Sequence, residues 1–184
     1  MSSSGVRSGQ RTSRARGIDR AWEAVESAGG LAEILAPSLW ETQAMNHLDK
    51  GDRLPVDGTT GEVSVEDLDV VVLAGGVANP DRLRTDAAAV EFLRAMFRSG
   101  KPAAVIRHGP WTLVEGDLVR DRTLWSWPSL HRHRERWGTR VNQEVQLCSN
   151  GLNVPVMNRK LDALKAFCEQ MARDFWASDK PHRR

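Results

Sequence analysis

A chain of 184 residues, 40% hydrophobic and 27% charged, has the size and composition of one globular domain around a single core. No apolar run approaches the roughly 20 residues that span a bilayer, and Met1–Arg16 has no signal-peptide apolar region. A cytoplasmic protein with no membrane partner is therefore expected. Five arginines against Asp19 give residues 1–20 a charge of +4, which leaves −2 for the remainder of a net +2; basicity confined to a tail argues against a nucleic-acid partner.

In chain order, residues 1–16 are too poor in apolar side chains to offset the entropy of ordering and read as a disordered basic tail. The domain is expected over 17–176, with a flexible tail at 177–184. Trp22, Val25 and Ala28 fall at helical spacing, closed by Gly29-Gly30. Leu31–Ala36 reads as a short strand stopped by Pro37, and Asn46–Thr60 as a polar loop with room for a hairpin.

Val70–Leu73 is an uninterrupted apolar run ending in Gly75-Gly76, the pattern of a strand buried on both faces in a parallel sheet. Asp86 is positioned to cap a helix carrying Val90, Leu93, Ala95, Met96 and Phe97, with Gly100 closing it. Pro102–Ile106 is a second buried strand that turns into His108-Gly109-Pro110-Trp111. Strand, helix, strand makes a βαβ unit, expected to be right-handed. Beyond it lie Arg122–Trp125, a basic helix over Pro128–Trp137, short strands around Val145 and Val154, and a last helix over about Arg159–Phe175. The fold class is α/β, a doubly wound and mostly parallel sheet with helices on both faces.

Cys148 and Cys168 have no CxxC spacing and read as reduced, packed thiols. His131 and His133 alternate along the basic helix, which does not pair them on one face, so no metal site is expected. No Walker motif or GxGxxG is present, and no cofactor is implied.

In open parallel sheets, ligands sit beyond the carboxyl ends of the strands. Two segments occupy such ends here: Gly75-Gly76-Val77-Ala78-Asn79-Pro80-Asp81 and Arg107-His108-Gly109-Pro110-Trp111. Together with Leu83-Arg84-Thr85-Asp86, Ser126-Trp127-Pro128-Ser129-Leu130 and Asn46–Asp52, they resemble the DJ/PfpI superfamily, in its PfpI-type intracellular protease and general stress protein branch. The resemblance covers roughly residues 20–175. It implies a flavodoxin-like fold, a homodimer or higher homo-oligomer, a small-molecule or peptide substrate, and hydrolase chemistry on a cysteine at a sharp strand-to-helix turn. There the turn exposes the thiol and the helix end favours thiolate. The family's histidine maps onto His108. Its oxyanion and binding groups map onto Gly75, Gly76, Val77 and Gly109.

At the nucleophile position stands Arg107, which is cationic at every accessible pH and cannot attack a carbonyl. The family's first strand is followed by a loop whose acid hydrogen-bonds the thiol. Gly17-Ile18-Asp19 stands where that loop falls, with Asp19 as the acid remnant, but Arg7–Arg16 does not have the composition of a buried strand. That strand is normally central, and its absence leaves two neighbours with unpaired edges. A frameshift or a misassigned start in GC-rich coding DNA would yield such an Arg/Ser/Gly tail. Three functions follow: a catalytically impaired pseudoenzyme, a cysteine-independent hydrolase or glyoxalase-type lyase using His108 and water, or a small-anion binding module at Arg107.

Overall fold

The computed structural model describes residues 16–27, 29–38, 41–46, 49–76, 78–101, 103–106, 108–120, 123–124, 140–141, 147–149 and 153–157. The chain enters this region as a helix, α1, over Arg16–Ser27. Ala21, Ala24 and Val25 recur at three- and four-residue intervals and share one face. They pack with Val70, Val72, Ala104 and Ile106. The helix ends in a Schellman turn. Gly29, at φ 87°, donates to the Glu26 carbonyl, and Gly30 donates to that of Val25, both at 2.9 Å. Gly17–Asp19, expected as a loop, instead forms the opening turn of α1. The spacing Ile18, Ala21, Val25 carries the helical period one turn further back than Trp22 indicates.

Of the segment Leu31–Ala36, expected as a strand, only β1, Leu35–Ala36, forms a ladder. The expected polar loop is largely a hairpin. Strand β2 (Glu41–Asn46) pairs antiparallel with β3 (Asp49–Pro55), and the register shifts between Gln43 and Met45. The chain then returns as β4 (Gly58–Thr59), parallel to β1. The hairpin was hard to see because its strands are polar and lack apolar alternation, so backbone ladder bonds carry the pairing.

After a 3₁₀ turn over Val65–Asp67, β5 runs over Val71–Leu73. Helix α2 spans Ala78–Leu83 and α3 spans Ala87–Arg98. Asp86 caps α3 as expected, its Oδ1 accepting from the Ala89 amide at 2.8 Å. Gly100, at φ 74°, follows the helix end. Strand β6 is Ala103–Ile106, and helix α4 is Pro110–Glu115. Four short strands complete the described set: β7 (Thr123–Leu124), β8 (Arg140–Val141), β9 (Leu147–Ser149) and β10 (Asn153–Met157). The basic helix, the strand at Val145, the last helix and both tails fall on residues outside the described set, apart from the single position Arg16.

The main sheet has the order β5-β6-β10-β9, with β5, β6 and β10 parallel and β9 antiparallel. All four residues of β6 are at most 3% exposed. They alternate as a pleated strand requires. Ala103 and Val105 join Leu73, Phe92, Leu93, Met96, Phe97, Leu113 and Val119 on one side, whereas Ala104 and Ile106 meet α1 on the other. Helices thus cover both faces of a mostly parallel sheet, and the class is α/β. Among the described residues, no helix is long and apolar enough to cross a membrane.

Candidate active site

The register Leu73↔Val105 sets the carboxyl ends of β5 and β6 side by side. The turn after β5 and the turn after β6 therefore leave the sheet at the same edge, each leading into a short helix. The contact between them is intimate. A Cβ added to Gly75 would stand 2.6 Å from the Ile106 carbonyl oxygen, and one added to Gly109 would stand 2.6 Å from Val105 Cγ1. The same Ile106 oxygen accepts from the Gly109 amide at 2.9 Å. Gly76 sits at φ 93°, in the region that favours glycine.

Beyond the β6 turn, Pro110 opens α4, where its missing N–H leaves no helical bond unmade. The Trp111 and Thr112 amides donate to the His108 and Gly109 carbonyls, both at 3.0 Å. These bonds fix the backbone of His108, whose side chain is half-buried with Nδ1 in the interior. On the β5 side, Asn79 Nδ2 donates to the Ala74 carbonyl at 3.2 Å and ties α2 back onto its own turn.

Of the expected site residues, Gly75, Gly76, His108 and Gly109 come together at this edge. Asp19 lies in α1 and not in a loop. Arg107 and Val77 lie outside the described residues, although the chain neighbours of Arg107, Ile106 and His108, lie within them.

Sequence reasoning missed the bridge that joins the two short helices. Thr112 is 1% exposed, and its Oγ1 donates to the Pro80 carbonyl at 3.4 Å. Arg84 lies over the Trp111 ring, 4.9 Å from its centroid. It also pairs with Asp81 at 2.8 Å and reaches Glu115 at 3.9 Å. The Asp81/Arg84 and Trp111/Glu115 helical spacings, and a threonine inside the apolar run Pro110–Val114, were the available signals.

Cys148 belongs to β9, two strands from β6. It pairs with Val154, two residues before Val156, which pairs with Val105. At about 3.3 Å per residue and 4.8 Å per strand, its Cα is on the order of 16 Å from the turn after β6. Cys168 lies outside the described residues.

This arrangement, with two glycine turns and a histidine beyond the ends of adjacent parallel strands, places a candidate ligand site at the strand ends of an α/β fold. The chain belongs to the DJ-1/PfpI family, whose sequence profile matches residues 20–173. It is 41% identical over 80 residues to Deglycase PH1704 of Pyrococcus horikoshii, across 44% of this chain and 48% of that protein. It is 43% identical over 72 residues to Deglycase PfpI of Pyrococcus furiosus, across 39% of this chain and 43% of that one. The chain thus spans about half the length of these curated relatives. The fold is similar to that of a ThiJ/PfpI domain protein from Brachyspira murdochii, with a TM-score of 0.75, 16% identity, and 89% of each chain covered. The fold is accordingly the flavodoxin-like, doubly wound α/β architecture that the resemblance implied.

Proposed function

We propose that this chain is a DJ-1/PfpI domain that has lost the thiol chemistry of its family and persists as a catalytically impaired pseudoenzyme. The observation that carries this reading is Arg107, placed in sequence between the last residue of β6 and His108. A guanidinium offers no nucleophilic lone pair near neutral pH. The position of Cys148, on a different strand and on the order of 16 Å away, supports the view that it does not take over. The close approach of Gly75 and Gly109 to β6 supports a turn that keeps its shape without the reacting atom. Recognition of a small molecule or peptide at this edge, and association as a homodimer or larger homo-oligomer, belong to the same proposal.

Methylglyoxal consumption and peptide hydrolysis, measured with and without iodoacetamide, test it. The expected result is no iodoacetamide-sensitive turnover above buffer. Thiol-dependent turnover by the unmodified chain would overturn the proposal. Turnover insensitive to iodoacetamide and lost in His108→Ala would instead favour the histidine-and-water lyase.

A further inference from the structure

Helix α4 carries the backbone that follows His108, yet its six residues are too few to hold a helix by themselves. Its place is therefore set by what grips it. On the inward side Leu113 is fully buried, and Thr112 reaches the Pro80 carbonyl at 3.4 Å, a long and weak bond. Arg94, on α3, donates to the Glu115 and Gly116 carbonyls at 3.5 and 3.2 Å and fixes the far end of α4. The near end is gripped from α2. Arg84 directly follows that helix, and its Nε donates to Asp81 Oδ1 at 2.9 Å, which anchors the guanidinium to its own helix end. From there the guanidinium covers the Trp111 ring, 4.9 Å from the centroid, and reaches Glu115 at 3.9 Å. Trp111 and Glu115 are four apart, so both lie on one face of α4. The gripped residue is also tied to the site: the Trp111 amide donates to the His108 carbonyl at 3.0 Å.

We propose, on the reading of this edge as the family's site, that Arg84 is a positioning residue, which acts through Trp111 to hold the His108–Gly109 turn against the Gly75 turn. Ring and amide belong to one residue, so a displaced ring tilts the turn beneath it. The ion pairs of Arg84 are partly exposed and contribute little to global stability. Stacking of a planar guanidinium on the ring supplies direction, which the long Thr112 bond does not. Loss of Arg84 should therefore loosen α4 locally and leave the sheet intact.

The test compares amide exchange in the full chain and in Arg84→Met, which keeps an unbranched apolar stem without the donors. Exchange at Trp111 and Thr112 is expected to quicken about tenfold, with the β6 amides nearly unchanged. In a Trp111→Leu background the same substitution should add little, because the ring that transmits the grip is gone. In an Arg107→Cys background, Arg84→Met should slow alkylation toward the rate of free cysteine. Equal quickening at α4 and β6 would reduce Arg84 to a stabilising role and overturn the proposal. Unchanged exchange at Trp111 and Thr112, an effect undiminished in Trp111→Leu, or fast alkylation that Arg84→Met leaves untouched would each overturn it too. An Arg107→Cys thiol no more reactive than free cysteine would instead overturn the reading of the edge as the family's site, and the exchange rates would still decide for or against Arg84.

Discussion

The carbonyl oxygen of Ile106 lies 2.6 Å from the point where a Cβ on Gly75 would stand. Backbone from one strand end therefore touches backbone from the other, with no side chain between them. Gly75→Ala must push the turns apart and is expected to cost about 1–3 kcal/mol, read as a lower urea midpoint. Gly76 has open space around its Cα but φ 93°, so Gly76→Ala is expected to cost about 1–2 kcal/mol from backbone strain alone. A Gly75→Ala midpoint equal to that of the parent would mean the turns are not in contact.

Arg107→Cys is expected to place a reactive thiol at the turn after β6. With His108 adjacent and α4 opening at Pro110, its pKa should fall below the free value of about 8.5, and iodoacetamide should modify it faster than free cysteine at neutral pH. Alkylation rate against pH measures this directly. An ordinary thiol would mean that the turn has lost the geometry that activates the family's cysteine.

Asp86 can be tested by truncation. Its carboxylate holds the Ala89 amide at 2.8 Å, so Asp86→Ala should lower stability by about 1 kcal/mol, while Asp86→Asn retains most of it. Equal losses for both substitutions would show that charge, and not capping, is the important property.

Glu91 carries a pH signature. Hydrogen bonding from Arg98 holds its carboxyl below the ordinary value; desolvation opposes this, and the Arg98 charge and then Arg94 add to the lowering. A carboxylate depressed in the folded state stabilises the fold above the unfolded pKa, and the benefit is lost as pH falls through the folded pKa. The stability gap between the parent and Glu91→Gln should thus be present at neutral pH and close in acid. The side chains are exposed, so the gap should be small and shrink with salt. A gap that persists in acid would assign it to packing.

By itself, the sequence determined the α/β class, the strands β5 and β6, helix α3 with its Asp86 cap, and the presence of an arginine at position 107. Each is a local signal: consecutive apolar residues need burial on both faces, a 3.6-residue period needs one, and a capping carboxylate acts within three residues. The hairpin of β2 and β3 was only half legible, because ladder bonds between polar strands leave little trace in side-chain type. The helical turn at Gly17–Asp19 is the start of α1, one turn ahead of the period that Trp22 and Val25 indicate. Only the tertiary structure could decide the contact of Gly75 with Ile106 and the Thr112–Pro80 and Arg84–Trp111 bridges. Each depends on segments far apart in the chain meeting at one place, where close approach rather than residue type determines what fits.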